Sequence, residues 1–333
     1  MILSVIAKNN SMISTKKLLS AFAVMISCFS FVSEIKAQDP HFTQFYANPI
    51  YLNPAFAGSH RCPRIVFNYR NQWPNISGTF VTTSFSYDMR VEALSGGIGI
   101  HFLNDRAGQG TMGITRFSAM YAYQLAITRE FSMAFGLEAT YGQKKLDWSK
   151  LTFGDQIDPK YGFIYNTLET KNQQVVSYPD FSAGVLGYSK RFYAGFAVFH
   201  LTEPDEAFLA SGSPLPMKYT GHVGAVIPLD GRYGQSNISP NIIYQQQQDF
   251  RELNLGLYLT KGPIVGGLWY RNQDAVVALV GFQQDPVKMG YSYDITVSKL
   301  GIVTAGSHEI SFQLLFKCRP RHKKFRTVSC PSF

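Results

Sequence analysis

The feature that most constrains the fold is a strict alternation between apolar and small or polar side chains. It is sharpest over residues 131–141. The apolar members are Phe131, Met133, Phe135, Leu137, Ala139 and Tyr141, and the intervening members are Ser132, Ala134, Gly136, Glu138 and Thr140. Because successive side chains of a strand point to opposite faces, the pattern indicates a β-strand and not a helix. One apolar and one small, polar face are typical of a strand with lipid outside and a watery lumen inside.

The same alternation recurs along the chain, for example at 253–259, 289–295 and 310–316. No apolar run after residue 37 approaches the length of a membrane-spanning helix. The sequence therefore predicts an all-β, transmembrane, antiparallel barrel of about 14 strands, with Phe135, Leu255, Tyr291 and Phe312 facing lipid. The predicted strands are 64–72, 80–90, 96–104, 113–127, 131–145, 179–189, 191–202, 218–228, 236–247, 251–261, 263–272, 274–284, 286–297 and 306–317.

The connections between these strands give an independent indication. The two longest, about 146–178 and 203–217, follow the fifth and seventh strands, whereas most connections after even-numbered strands are tight. An outer-membrane barrel with both ends in the periplasm has this distribution, because every odd-numbered loop then faces outward. A soluble secreted sandwich, the alternative all-β fold, has no reason to sort its loops in this way. We therefore expect the protein in the cell outer membrane, with membrane lipid around it.

The first 37 residues have the plan of a secretory signal peptide. Lys16 and Lys17 precede an apolar run from Leu18 to Val32, and Ala37 is a small residue at the predicted cleavage site. An N-terminal membrane anchor is the alternative, but the run is shorter than the roughly 20 residues that a spanning helix needs. We therefore divide the chain into a signal peptide (1–37), a periplasmic N-terminal strap (38–63), the barrel (64–317) and a C-terminal tail (318–333).

Most of the formal charge of +9 lies outside the predicted barrel. Removing residues 1–37 lowers it to +6, and the tail holds five basic residues and no acid. The excess is therefore local, and no nucleic-acid-binding motif accompanies it. We predict that the tail docks to a periplasmic partner through Arg319, Arg321, Lys323, Lys324, Arg326 and Phe333. A solvated charge run without a partner is the alternative.

Three cysteines follow the predicted signal peptide. Since an exported chain meets an oxidising compartment, a bridge between Cys318 and Cys330 would close the basic tail and leave Cys62 free or paired elsewhere. The sequence alone does not fix the connectivity. Their spacing does not match a zinc site, and the sequence indicates no cofactor.

Several short motifs, spread over nearly the whole mature chain, carry a family resemblance. They are DPHFTQF at 39–45, NPAFAG at 53–58 followed by RCP at 61–63, NYRNQWP at 68–74, NDRAG at 104–108, LTFGDQ at 151–156, SHEIS at 307–311 and the ending Cys330-Pro331. Together they resemble the PorP/SprF family of outer-membrane proteins of the type IX secretion and gliding machinery.

The resemblance implies a non-enzymatic barrel in a secretion and adhesion apparatus. It implies export and surface attachment of adhesins or other cargo through their C-terminal domains, and periplasmic partners that link the machine to peptidoglycan. Tyr161, Phe163 and Tyr165 lie in the long fifth loop, too far from the membrane for interfacial residues, and are candidate anchors for a cargo domain.

Two other functions remain as alternatives. An outer-membrane hydrolase would use polar residues near the strand ends, among them His101, Asp105, His200 and Asp205, but no nucleophile elbow or paired-histidine motif accompanies them. A porin would place the inward-facing charges of Arg70, Arg116 and Glu138 at a constriction. The same charges would equally suit an ion-pair network in a filled lumen, for which the strap and the fifth loop are the available plugs.

Overall fold

The computed structural model describes residues 39–76, 78–169, 174–208, 212–229, 236–297 and 305–317. The predicted signal peptide and the basic tail lie outside these residues. The chain divides into two units, Met1–Asp39 and Pro40–Phe333, and the described structure belongs almost wholly to the second. No helix in the described ranges is long and apolar enough to cross a membrane.

Fourteen long strands and three short ones account for the regular structure of the described residues. The strands are β1 (Arg64–Gln72), β2 (Phe80–Val91), β3 (Gly96–Ala107), β4 (Met112–Ala126), β5 (Phe131–Leu146), β6 (Ile157–Asp158), β7 (Gly162–Phe163), β8 (Val175–Ser189), β9 (Phe192–Phe199), β10 (Lys218–Ala225), β11 (Ile227–Pro228), β12 (Ser236–Gln247), β13 (Phe250–Lys261), β14 (Ile264–Arg271), β15 (Ala275–Gln284), β16 (Val287–Thr296) and β17 (Ser307–Leu315).

The long strands form one closed antiparallel barrel. Each pairs with its neighbours in the chain, β10 pairs with β12, and β1 pairs with β17 to close the ring. Closure leaves the long strands without a free edge, as a membrane requires, because lipid offers no partner for an unpaired backbone group. The predicted all-β transmembrane barrel of 14 strands is therefore confirmed.

The two faces of the wall also follow the predicted alternation. Phe135, Leu255 and Tyr291 are 46%, 43% and 41% exposed on the outer surface, whereas Glu138 and Asp294 on the same strands as Phe135 and Tyr291 are buried inside. Phe312 is half-buried beside the outward Phe67. The outer face is a continuous apolar belt that suits lipid.

Some strand boundaries differ from the prediction. β8 begins at Val175, four residues early, because its pairing with β5 continues past Pro179 to Lys145. β9 ends at Phe199 and not at 202, since His200 has a left-handed backbone, φ 59°, which interrupts the strand. The predicted strand 218–228 is divided into β10 and the two-residue β11.

The longest connections all lie at one end of the barrel. We name the end where β1 begins the turn end, and the opposite end the loop end. Connections of two to four residues join β4 to β5, β8 to β9, β13 to β14 and β15 to β16 at the turn end. The loop end carries the connection from β5 to β8, which contains the β6–β7 hairpin, and the connection from β9 to β10.

Residues 40–63 lie in the barrel lumen. The sequence places 38–63 in the periplasm or at the barrel mouth, whereas the structure places this part deeper, among the inward side chains of strands around the whole ring. The reason is that its many apolar side chains need a covered environment, and the inner wall supplies one: Phe42, Phe45, Ile50, Leu52 and Phe56 are all buried. We call residues 40–63 the lumenal segment.

Candidate functional site

The lumenal segment is built from three short helical turns. They span Phe45–Ala47, Pro49–Leu52 and Pro54–Phe56. Pro49 and Pro54 each occupy a first helical position, where the missing proline N–H costs nothing. Asn53 joins the last two turns, and its side-chain oxygen accepts a hydrogen bond from Ala55 N at 2.9 Å. Prolines and asparagine therefore explain why the segment forms a compact, irregular insert and not a strand.

Near the loop end, one carboxylate holds the start of the segment. Glu309 of β17 is 0% exposed, and its two oxygens accept hydrogen bonds from the backbone of Thr43 at 2.6 Å and of Gln44 at 3.0 Å. Gln44 Nε2 also donates to the Glu309 backbone oxygen at 3.0 Å. A buried carboxylate that accepts two backbone amides makes strong, directional bonds. Glu309 thereby fixes the position of the segment along the barrel axis.

Arginine supplies the opposite charge. Arg70 of β1, 1% exposed, lies 3.2 Å from Glu309 and 2.8 Å from Asp294 of β16. Thr43 Oγ1 donates to Asp294 at 2.8 Å and accepts a hydrogen bond from Arg70. Thr43 thus lies between a cation and two anions from the wall. We call Thr43, Gln44, Arg70, Asp294 and Glu309 the Glu309 network.

A second arginine extends this network around the wall. Arg271 of β14 lies 3.7 Å from Asp294, 3.5 Å from Glu252 and 3.0 Å from Asp274. Each buried charge of this network therefore has an opposite partner, as burial in a low-dielectric interior requires. The sequence allows two roles for the inward charge of Arg70, at a pore constriction or in an ion-pair network of a filled lumen. In the structure Arg70 belongs to an ion-pair network.

Further along, the segment meets glycines of the wall. A methyl group at Gly97 of β3 would overlap the backbone of Ala57, and one at Gly136 of β5 would overlap the backbone of Ala55. The same is true of Gly184 of β8 against the side chain of Asn53. Only glycine allows the segment to approach the wall this closely.

Aromatic rings fill the space between the segment and the β13–β14 wall. Phe45 and Tyr46 lie 5.0 and 6.3 Å from Trp269, centroid to centroid, and Tyr258 packs edge-on against Trp269 at 5.6 Å. These rings form part of one buried apolar cluster. Aromatic pairs at such distances add to the stabilisation from burial.

At the turn end, the segment is tied to β2. Gly58 N donates to Asp88 Oδ2 at 2.9 Å, and Arg64 forms a 2.5 Å ion pair with the same carboxylate. Phe316 N, just beyond β17, donates to Pro63 O at 2.9 Å. Cys62 is disulfide-bonded, and its partner lies outside the described residues. Both ends of the segment are therefore held to the wall.

The loop end of the lumen is covered by the connection between β9 and β10. Its Glu206 is buried and lies 2.8 Å from Lys144 and 3.9 Å from Arg116, and it accepts a hydrogen bond from Tyr178. The plugs expected from the sequence were the strap and the fifth loop. In the structure the strap and this seventh connection enter the lumen.

The four candidate hydrolase residues do not form one site. His101 lies 2.8 Å from Ser84, Asp105 accepts from Thr82 at 2.6 Å, and His200 lies 2.6 Å from Asp180. Asp205 is exposed and accepts the backbone amides of Ala207 and Ser213. The first three are buried structural contacts, and the fourth shapes a loop.

The predicted cargo anchors are exposed together in the hairpin of β6 and β7. Tyr161, Phe163 and Tyr165 are 66%, 62% and 54% exposed. Asp158 holds the turn, since it accepts the backbone amides of Lys160 and Tyr161 and the Tyr165 hydroxyl at 2.8, 2.9 and 2.9 Å. These bonds lower the pKa of Asp158, and the two backbone amides contribute most to this lowering. The predicted tail residues and the predicted Cys318–Cys330 bridge lie outside the described residues.

The fold and this interior define a class of protein. A closed barrel with an apolar belt outside and a filled, charged lumen inside is a transmembrane β-barrel of the outer-membrane type. The chain belongs to the PorP/SprF family, since the family model for the type IX secretion system membrane protein PorP/SprF matches residues 34–314. The protein is therefore an outer-membrane component of this secretion system, in contact with the membrane and with other parts of the machinery.

Similar solved structures are also membrane barrels. A Pseudomonas aeruginosa FadL homologue has 12% identity and a TM-score of 0.43, and the match covers 79% of this chain and 91% of that one. BamA from Haemophilus ducreyi lacking POTRA domains 1–3 has 8% identity and a TM-score of 0.38, and the match covers 77% of this chain and 71% of that one. No curated protein matches the chain.

The motifs that carried the resemblance converge in the lumen. Thr43 and Gln44 come from the first motif, Arg70 from the NYRNQWP motif and Glu309 from the SHEIS motif. Sequence reasoning did not bring these residues together. Two features of the sequence could have indicated this contact. The alternation places Arg70 and Glu309 on the inner face of the two strands that close the barrel, and a polar motif precedes the first strand.

Proposed function

We propose that this protein is a non-enzymatic barrel that supports the export and surface attachment of cargo, such as adhesins, and links to periplasmic proteins of the machine. The observation that carries the proposal is the filled lumen. A chain that occupies its own pore with residues 40–63 leaves its two ends and its outer wall for function. Family membership supplies the type IX secretion context.

The loop end supports the cargo part of the proposal. The β6–β7 hairpin presents Tyr161, Phe163 and Tyr165, and nearby Leu168 is 92% exposed. Clustered aromatic side chains on a rigid turn resemble the anchors that dominate protein interfaces. We infer that this hairpin contacts the C-terminal domain of the cargo.

A porin is the alternative function. The inward charges that would favour it, Arg70 and Arg116, are paired with Glu309, Asp294 and Glu206. Paired, buried charges next to a packed segment offer little free path for a solute. The filled lumen therefore favours the secretion role over solute conduction.

The decisive experiment combines purification from native cells with a double substitution. Tyr161→Ser with Phe163→Ser removes two exposed rings and leaves the Asp158 bonds intact. We expect normal insertion, reduced cargo on the cell surface, and loss of cargo from the pull-down while periplasmic proteins are retained. The control is Phe192→Ser, which removes an exposed ring at the turn end.

Three results would overturn the proposal or one of its parts. Full cargo display by the double variant would reject the hairpin contact. A wild-type protein that purifies without secretion components and conducts ions steadily in a planar bilayer would favour the porin. Hydrolysis of lipid or peptide substrates would favour an enzyme.

A further inference from the structure

A cavity of about 60 Å³ remains at the turn end of the lumen. It lies between the bend of the lumenal segment at Gln44–Ala47 and the turn-end halves of β13 to β17. It exists because the segment continues from Asn53 toward the opposite wall, where it packs on glycines of β3, β5 and β8. The volume is room for about four to six water molecules.

One part of this cavity is apolar. Tyr46, Tyr258, Val265 and Leu279 contribute apolar surface to the lining. Gly281 of β15 is paired directly with Gly290 of β16, so this part of the wall carries no side chain. Gln44 and Ser311 fill the space beside Gly290, whereas the missing side chain at Gly281 leaves room beside Val265 for a short alkyl group.

The polar part of the lining offers hydrogen-bond donors. Gln313 is 6% exposed, and its Nε2 has no hydrogen-bond partner among the described residues. A buried donor without an acceptor is costly, and a ligand that supplies the acceptor removes this cost. Lys288 lines the same cavity and brings a positive charge. An amide donor beside an ammonium group favours an anionic oxygen ligand.

We propose that this cavity binds a small apolar monocarboxylate. Its carboxylate accepts hydrogen bonds from Gln313 Nε2 and Lys288 Nζ, and its alkyl group packs on Val265 and Leu279. The ligand enters from the turn end, since Gln283 and Lys288 on that side are partly exposed. The site is independent of the secretion role proposed above.

Saturation-transfer NMR with butyrate tests the site in the purified full-length barrel, with 1-butanol as the uncharged control. We expect butyrate to bind at least 10-fold more tightly than butanol. Lys288→Met should weaken butyrate binding at least 10-fold, and Gly281→Leu, which fills the cavity, should abolish it. Lys261→Met is the matched control, because Lys261 is an exposed turn-end lysine outside the cavity.

A second substitution keeps the test independent of folding defects. Gln313→Leu replaces the unpartnered donor by an apolar group of similar size, so the barrel should remain folded while butyrate binding falls. Absence of butyrate binding to the wild type would overturn the proposal. Equal binding by wild type and Gly281→Leu, or equal affinity for butyrate and butanol, would overturn it as well.

Discussion

The carboxylate of Glu309 accepts a hydrogen bond from the backbone of Thr43 at 2.6 Å, across 266 positions of sequence. This bond joins the first described residues of the chain to its last strand. Arg70, from the first strand, lies beside both groups. The contact therefore connects the lumenal segment to the two strands that close the barrel.

The first prediction concerns this contact. Glu309→Gln removes the negative charge and leaves Arg70 short of a partner, so we expect a destabilisation of about 3–5 kcal/mol, as for other broken buried pairs. The loss of stability is measured by denaturant titration, in which the folded and unfolded barrels are distinguished by their different mobility on a gel. Glu130→Gln, in an exposed turn, is the control and should have little effect. Equal midpoints for both variants would contradict the assigned role of Glu309.

A second prediction concerns the wall glycines. Gly97→Ala places a methyl group against Ala57, and overpacking of this kind costs about 1–3 kcal/mol. Gly221→Ala adds the same methyl group where no atom lies within 4 Å, so it should be neutral. Limited proteolysis should show a more accessible lumenal segment in the first variant alone. Identical digestion patterns would argue against close packing in solution.

The lipid face gives a third prediction. Leu255→Arg places a charge on the apolar belt and should cost about 2–4 kcal/mol near the bilayer midplane. Leu255→Phe keeps the site apolar and is the matched control. Gly256, the inward neighbour, is a poor control because any side chain there would overlap Trp269. Heat-modifiable gel migration compares the variants, and equal tolerance would contradict the assigned face.

The fourth prediction is a pH dependence of the β6–β7 hairpin. The pKa of Asp158 is lowered in the folded hairpin by hydrogen bonds from Lys160, Tyr161 and Tyr165. The bonds therefore stabilise the hairpin above the unfolded value of about 3.9 and are lost as pH falls through the lower folded pKa. Amide exchange of Lys160 and Tyr161, corrected for intrinsic rates, should accelerate in acid. Asp158→Asn should show no such transition; an unchanged wild-type profile would refute the assignment.

The fifth prediction concerns Cys62. The hydrogen bond from Phe316 to Pro63 brings the end of β17 beside the disulfide-bonded Cys62. We therefore expect peptide mapping without reduction to join Cys62 to a peptide that contains Cys318 or Cys330. Such a link would compete with the Cys318–Cys330 bridge that the sequence suggested. Recovery of Cys62 as a free thiol would contradict the prediction.

The barrel was readable from the sequence because alternation is a local property. In 131–141 and 253–259, the type of each residue indicates whether its side chain faces lipid or the lumen, and other strands repeat the pattern. The position of the lumenal segment cannot be predicted from the sequence in this way. It depends on long-range contacts, such as that of Thr43 with Glu309, which no local pattern encodes. Its apolar and polar residues are interleaved without a regular period. This pattern predicts an irregular segment, but it does not predict that the segment lies in the lumen. The Asp158 hairpin was anticipated only as an exposed aromatic loop.

The contact between Thr43 and Glu309 also bears on how the protein assembles. During synthesis the lumenal segment is made before any strand, and its partner in β17 is made after the other strands. Contacts between such distant parts form late, because the intervening chain must first be ordered. Because β17 also pairs with β1, closure of the ring and anchoring of the lumenal segment both depend on the part of the barrel that is synthesised last.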